Sequence, residues 1–491
     1  MINVEQSGVT FSFPRVRDDR STALRRLLLA GIVGLAIAIA AFDPFGDVRL
    51  IVVGLAGAAF LIWSAIYTSR HHEWLIFALL MIEVLASSSV LPDNVATIGR
   101  YGLEALFCLP VVPTFLRSDI WRKGGFRLFF LYMAWGLATV TYSIAPLFSL
   151  GRVLNTSLLV ATICLCASEI SSDQDVNRTM GRVLLASTII LGLLCVGAVL
   201  LPASVTWQSD DVVNESGRVI FSRGGMLRFQ GFLGSPNQIG EVMLTTMAVA
   251  LLHWSTASNR SRVLLAFIIV LAFGLMVLAD SRTSAVAILA SGGAYAIYKY
   301  RFRAVLGCVG LVLLLAIGLL IAEPKVGDYV NRDVTSFTGR SDIWAYTVDQ
   351  IEQRPLWGYG YEVEGAILDN KYFPLWYGPW DMGPHSSLHE NYLARAVGVG
   401  VPAALLWFFI MLRPWVVLFR TENDSLGLKR MGLIAVLPIF ILNFAESSAG
   451  DCRYSVGLLM MLAWALAENQ RLLLNQRKPV SRTINLFAPA S

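Results

Sequence analysis

Charge is scarce in this sequence. Only 15% of its 491 residues are Asp, Glu, Lys or Arg, against 56% that are hydrophobic. Soluble domains carry roughly 25% charged residues, so the apolar excess does not describe one large water-soluble core. It falls instead into stretches of about 20 residues, the length that crosses a bilayer as a helix. Histidine is scarcer still, with five in the whole chain. There are six cysteines, and no two have the Cys-x-x-Cys spacing of metal or redox sites. Cys108, Cys164, Cys166, Cys195 and Cys308 lie within apolar runs and Cys452 in a loop, so all six read as small apolar residues. The net charge is a modest +5, and the basic residues are scattered between apolar runs, which argues against a nucleic-acid partner.

About fourteen candidate spans can be placed, with ends uncertain by a few residues. They fall near 24–42, 48–67, 74–91, 101–117, 127–144, 153–169, 183–202, 238–257, 263–280, 283–299, 304–322, 394–418, 431–448 and 454–471. An arginine-rich polar segment precedes the first run, which lacks a small-residue cleavage signature and reads as a retained anchor. With the N-terminus in the cytoplasm, Arg70, Arg117, Arg122, Arg178, Arg182, Arg260, Arg262, Lys299, Arg301, Arg303, Arg420, Lys429 and Arg430 all fall on the cytoplasmic side, as membrane orientation requires. The expected organisation is then a cytoplasmic segment 1–23, membrane helices over 24–202, an outer loop 203–237, helices over 238–322, a large outer loop 323–393, helices over 394–471 and a cytoplasmic tail 472–491. In a bacterium both loops lie in the periplasm. That face holds no ATP, so chemistry there uses an already activated substrate or none.

Three arginine-bearing stretches interrupt the apolar pattern. In SRGGMLRFQGFLGSPNQIG (222–240), Arg223 and Arg228 precede a span that begins near Gln238, the glycines permit close backbone approach, and Pro236-Asn237 suit a turn before a helix start. Helix N-termini attract anions and arginine forks bind phosphate bidentately, so this is either a phosphate site or a pair of arginines reaching to lipid headgroups. In LADSRTSAVA (278–287), Arg282 sits in a polar break, either paired with Asp280 or facing an anion. In TGRSDIWAYTVDQIEQRPLWGYGYE (338–362), Ile343, Tyr346, Thr347 and Ile351 follow a helical period, Ser341 or Asp342 can cap its start, and Pro355 and Gly358 end it. Trp344, Trp357, Trp376 and Trp380 suit a membrane interface or a surface on which sugars stack. The lone Gly-x-Gly of Gly358 and Gly360 is too short to signal a nucleotide site.

The stretch PHSSLHENYLARAVGVGV (384–401) closes the second loop and places His385 and His389 four residues apart. On one helix face they could bind a metal with Asp381 or Glu390, although Pro384 and two serines disfavour a regular helix and the zinc-protease pattern is absent. They could equally be structural, or do acid–base work, since histidine titrates near neutrality and can take a proton from a hydroxyl.

Taken together, these stretches resemble the O-antigen ligase and polysaccharide polymerase family of bacterial membrane proteins. The similarity lies in Arg228, Gly231 and Pro236-Asn237 before a span, and in Ser281-Arg282-Thr283 at a span boundary. It continues in Gly339-Arg340 followed by Trp344 and Pro355-Leu356-x-Gly358-x-Gly360, then in His389, Tyr392 and Leu393 followed by Gly398 and Gly400. Glu390 stands where the family has asparagine, and Asn391 follows one place later. The resemblance covers about residues 220–450.

The resemblance implies an all-α polytopic integral membrane protein of about 12–14 transmembrane helices, GT-C-like, with two larger periplasmic loops. It implies a metal-independent, inverting glycosyltransferase with no cofactor in the inner membrane. The donor would be a glycan on undecaprenyl diphosphate and the acceptor a sugar hydroxyl. His389 would be the general base; Arg228 and Arg282 would hold the diphosphate, with Arg223 and Arg340 as further basic contacts and His385, Asn391 and Tyr392 as possible support. Polymerisation of exopolysaccharide or O-antigen repeat units is the first expectation, and transfer to lipid A–core by a ligase the alternative. Membrane lipids and other polysaccharide assembly proteins are the partners it suggests. A transporter or flippase for a lipid-linked glycan is the competing class; it would predict charges in mid-span and similar halves. Glu83, Glu104, Glu241 and Arg395 lie near or inside spans, but no repeat relates the halves.

Overall fold

The computed structural model describes residues 61–68, 71–86, 93–170, 172–209, 212–213, 219–221, 227–233, 235–254, 257–300, 340–372, 390–420, 432–444 and 455–477. The chain divides into two compact units, Met1–Tyr67 and Thr68–Ser491. Of the first only a helical stretch is described, in which Trp63 stacks on Tyr67. The expected spans near 24–42 and 304–322, most of that near 48–67, and His385, His389 and Arg223 lie outside the described residues.

The second unit is built from helices, as an apolar chain requires where no water is present to satisfy backbone groups. In chain order they are α1 (His72–Ala86), α2 (Asp93–Cys108), α3 (Val112–Arg117), α4 (Gly124–Thr139), α5 (Pro146–Glu169) and α6 (Asp173–Leu200). Then come α7 (Pro236–Trp254), α8 (Asn259–Leu278), α9 (Arg282–Tyr300), α10 (Arg340–Gln353), α11 (Glu364–Tyr372), α12 (Asn391–Val399) and α13 (Val401–Arg420). A π-helical turn, Gly432–Val436, leads into α14 (Leu437–Leu442), and α15 (Ser455–Arg477) follows. Among the described helices, those over Pro146–Glu169, Gln174–Leu200 and Asn259–Leu278 are long and apolar enough to cross a membrane.

Two of these helices form the centre. α7 is buried along nearly its whole length, and α15 is buried from Ser455 through Glu468. They pack on each other, and α7 also touches α6, α8, α9 and the π-turn. By contrast α8 leaves Val263, Phe267 and Val270 more than 60% exposed, the surface expected of a helix that faces lipid. Polar groups tether the bundle. Glu468 of α15 accepts from the Gly125 backbone N–H at 3.0 Å and from Arg413 Nε, and Asn469 Nδ2 donates to Ala167 O at 2.9 Å. Charges inside the bundle are compensated: Arg100 lies 2.5 Å from Glu83 and 2.8 Å from Glu104.

The structure refines several sequence-based expectations. The span expected over 101–117 is divided by a 3-10 turn, Leu109–Val111, where Pro110 removes a helical donor. That over 394–418 is two helices, α12 and α13, because Gly400 takes φ +86° and turns the chain. Helix α10 begins at Arg340, so Ser341 and Asp342 lie inside it rather than capping it. The 203–237 segment is not wholly helical or irregular: β1 (Trp207–Ser209) pairs antiparallel with β4 (Leu227–Phe229), and β2 (Val212–Val213) with β3 (Val219–Phe221). Strand alternation is too short in each ladder to be read from sequence. Where described, Cys108, Cys164 and Cys166 are buried free thiols.

Residues 355–362 between α10 and α11 are held on two sides by backbone contacts. On one side, Gly360 N–H donates to Gly398 O at 2.8 Å, Tyr359 N–H to Val397 O at 3.0 Å, and Val401 N–H to Pro355 O at 2.8 Å. On the other, Tyr361 N–H donates to Thr139 Oγ1 at 3.0 Å and Ile144 N–H to Tyr359 O at 3.1 Å. A Cβ on Gly358 would stand 2.3 Å from Gly398 O, and one on Gly400 2.2 Å from Leu356 O. Both also have positive φ, +68° and +86°. Gly358→Ala and Gly400→Ala should each lower stability by at least about 1–3 kcal/mol, the cost of such backbone strain. Gly274→Ala on α8, where a Cβ meets nothing within 4 Å, should be neutral or slightly stabilising. Unfolding temperatures of the purified variants in detergent check this; equal values for all three would contradict it.

Candidate functional site

Two clusters gather several of the described residues singled out in the sequence, among them Arg228 and Arg282 in one and Asn391 and Tyr392 in the other. The first is a junction of three elements. Helix α8 stops at Leu278, and the turn that follows takes its last carbonyls: Ala279 N–H donates to Leu275 O at 2.9 Å, Asp280 N–H to Val277 O at 2.9 Å and Ser281 N–H to Met276 O at 3.2 Å. Arg228, at the centre of β4, holds the next two carbonyls: its Nε donates to Ala279 O at 3.1 Å and one terminal nitrogen to Asp280 O at 3.4 Å. The same nitrogen donates to Asn237 Oδ1 at 3.0 Å, which ties in the first turn of α7. Asp280 has φ +48°, unusual outside glycine, and this sharp turn starts α9 at Arg282. The turn presses against α7 where Gly240 has no side chain; a Cβ there would lie 1.9 Å from Ser281 Oγ.

Arg282 Nε lies 2.9 Å from Asp280 Oδ1, and its side chain is 46% exposed. Of the two readings offered by the sequence, the ion pair with Asp280 is therefore formed, while the guanidinium still reaches solvent at the N-terminus of α9. Arg228 and Arg282 thus meet on one residue, the first through the Asp280 carbonyl and the second through its carboxylate. Two guanidinium groups at a helix N-terminus outnumber the single Asp280 carboxylate between them, and guanidinium groups and helix N-termini are the chemistry that suits phosphate oxygens.

The second cluster surrounds the start of α12. Glu390 caps it, accepting from the backbone N–H of Tyr392 at 3.1 Å and from that of Leu393. A carboxylate suits this place because the first N–H groups of a helix are unsatisfied and the helix dipole favours negative charge. The residue that departs from the family's asparagine thus has a definite structural task. Asn391 is joined to Asn443 twice, by its backbone N–H to Asn443 O at 3.0 Å and by Nδ2 to Asn443 Oδ1 at 3.2 Å. The Tyr392 ring packs on Phe408, Phe440 and Phe444. Arg340 begins α10, and α10 packs against α12. The apolar stripe expected on α10 is confirmed: Ile343, Tyr346 and Ile351 pack on a core of Val363, Ile367, Ala394 and Val397.

Some contributors had no sequence signal. Glu362 (φ +57°) lies buried 2.9 Å from Arg395 Nη1, and Arg152 Nε approaches it to 4.0 Å. Arg395 also lies over the rings of Tyr361 and Trp407. Arg395 was visible as a charge near a span, but its ion-pair partner Glu362 is 33 residues away. Asn443 likewise becomes notable only when the fold brings it to Asn391.

Residues 265–408 match the family model described as O-Antigen ligase. The matched segment runs from α8 to α13 and contains Arg282, α10, the 355–362 loop and Glu390 to Tyr392; Arg228 precedes it. No curated protein matches the chain. Three described helices are long and apolar enough to cross a membrane, and residues 265–408, less than a third of the chain, are what is similar to the O-antigen ligase family.

Two carboxyls in the second cluster titrate abnormally. Burial pushes Glu390 from an ordinary 4.5 up to about 7, against the lowering effect of the Leu393 and Tyr392 N–H groups. Burial, and then the charge of Glu362, pushes Glu364 from 4.5 up to about 7, with Arg395 opposing. A carboxyl raised in the folded state binds its proton more tightly there than when unfolded. Its contribution to stability is full below about pH 4.5 and is lost as pH rises through about 7. Glu390→Gln keeps an acceptor for the helix but cannot ionise. The variant's unfolding temperature should therefore fall less between pH 4.5 and 7.5 than that of the unsubstituted protein, with Glu364 supplying the residual slope. Identical slopes would show that Glu390 does not titrate in this window.

Proposed function

We propose that the protein is a glycosyltransferase acting at the periplasmic face of the inner membrane, and that it passes a glycan from undecaprenyl diphosphate to a sugar hydroxyl. The observation that carries this reading is the meeting of Arg228 and Arg282 on Asp280, at the N-terminus of α9. In this reading segments 203–237 and 323–393 are the periplasmic loops, on a GT-C-like arrangement of 12–14 spans. Arg282 contacts the diphosphate and Arg228 holds the turn that presents it while adding positive charge. Arg223 and Arg340 are further basic contacts.

His389, which directly precedes the capping residue Glu390, takes the proton from the acceptor hydroxyl. The hydroxyl oxygen bonds to the anomeric carbon as the bond from that carbon to the diphosphate breaks, and undecaprenyl diphosphate leaves. Attack from the opposite side inverts the anomeric centre, and the arginines stabilise the charge growing on the leaving group, so no metal ion is required. Asn391 and Tyr392 fix the start of α12, and His385 is a neighbour of the base. The product is a polymer of exopolysaccharide or O-antigen repeats. Transfer to lipid A–core is the second reading. A transporter is less supported, because three of the four charges near or inside spans, Glu83, Glu104 and Arg395, are engaged in ion pairs.

The test is polymer made by cells that carry the variant as their only copy. Removing one charged phosphate contact costs about 1.5–3 kcal/mol, roughly a 10- to 100-fold loss of rate. Arg282→Ala and His389→Ala, expressed at normal levels, should therefore yield little or no polymer on a gel. A normal ladder from His389→Ala would exclude the general base, and one from Arg282→Ala would exclude the phosphate contact.

A further inference from the structure

Next to the interlocked 355–362 segment lies a groove of about 640 Å³, lined by Tyr142, Gln353, Arg354, Leu356 and Trp357. Its size falls in the roughly 300–1,000 Å³ range of ligand sites. The Trp357 indole is stacked on Trp135 at 13° between planes, with centroids 5.2 Å apart, yet Trp357 remains 57% exposed and Leu356 58%. Trp135 is itself anchored, its Nε1 donating to Val399 O at 3.0 Å, and Tyr142 Oη donates to Trp357 O at 2.8 Å. The backbone beneath is fixed by Gly358 and Gly400, as described above. The rim is polar: the exposed Arg354 lies over the Tyr359 ring at 4.6 Å, beside Gln353.

We infer that this groove binds a glycan chain, with a sugar ring stacked on Trp357 and its hydroxyls met by Arg354 and Gln353. A sugar ring has apolar C–H faces and polar edges, which matches a flat aromatic floor with guanidinium and amide at the rim. Rigid aromatic surfaces bind with little loss of side-chain freedom, and here the indole is immobilised before any ligand arrives. A tryptophan that merely sits at a membrane interface needs neither a concave wall nor a stacked partner nor a fixed backbone. The groove adjoins the C-terminal end of α12, through Val397, Gly398 and Val399, about 13 Å along that helix from its cap Glu390. The inference rests on the glycosyltransferase reading and names where that enzyme holds its glycan.

The test is equilibrium binding to the purified full-length protein in lipid nanodiscs, read by saturation-transfer NMR. The probes are cellohexaose, isomaltohexaose, chitohexaose and a hyaluronan hexasaccharide. At least one should bind. Trp357→Ala and Arg354→Ala should weaken it about tenfold, Trp357→Phe less, and Trp254→Ala, at the far end of α7, not at all. Binding of no probe, or equal binding by Trp357→Ala, overturns the inference. So does quenching by brominated lipid of an indole signal that disappears in Trp357→Ala, since that would place the indole in the bilayer. The measurement needs no turnover. Arg282→Ala should keep oligosaccharide binding while losing polymer; if it keeps both, the reading of the diphosphate site fails and the groove stands.

Discussion

Arg228 donates to the carbonyl oxygens of Ala279 and Asp280 in the turn after α8, and the same guanidinium reaches the first turn of α7 through Asn237. One side chain thus ties a strand to that turn and to the start of a helix. The Asp280–Arg282 turn depends on it, and so does the close contact of that turn with Gly240. An arginine suits the position because its planar fork can satisfy several acceptors at once, where a lysine would offer a single centre. A cation at a helix C-terminus also meets a favourable dipole. The two arginines of the proposed diphosphate site are therefore unequal: one builds the turn, and the other is presented by it.

The second cluster obeys a different constraint. Where α10, α11 and α12 meet, main chain packs on main chain: no Cβ fits at Gly358 or Gly400, and one at Gly398 would be tight, 3.0 Å from Gly360 O. The buried Glu362–Arg395 pair sits beside that contact. Taking two charges out of water is costly, and breaking such a pair by removing one partner typically costs about 3–5 kcal/mol. The pair and the glycine contact together leave the 355–362 loop one arrangement. That rigidity is what gives Trp357 a fixed place on the surface.

Much of this was legible in the sequence where a short-range rule applied. The apolar stripe of α10, the stop at Pro355 and Gly358, the start of α7 near Pro236 and the break around Arg282 each follow from helix periodicity or turn chemistry. The Gly-x-Gly at 358 and 360 is too short to signal a nucleotide site, and its use, accepting a backbone from Gly398 and Gly400, is a contact between distant segments. The same holds for Arg228 on Ala279, Asn391 on Asn443 and Arg395 on Glu362: each residue stood out, and none of its partners could be named from spacing. Glu390 looked like a departure from a motif. Its role as a helix cap depends on where α12 begins, and an N-cap glutamate is not among the usual signals. The short ladders between Trp207 and Phe229 escaped because strands of two or three residues carry no readable alternation.

The account stands on transfer of a lipid-diphosphate-linked glycan by this chain alone. Its most direct test is the purified protein in proteoliposomes, supplied with a defined undecaprenyl-diphosphate-linked oligosaccharide, with neither nucleotide nor added metal ion. Mass spectrometry should find elongated glycan, one undecaprenyl diphosphate released for each linkage formed, and inverted anomeric configuration at the new bond. Movement of intact lipid-linked glycan across the bilayer, with no new glycosidic bond, would contradict the account and make the protein a transporter.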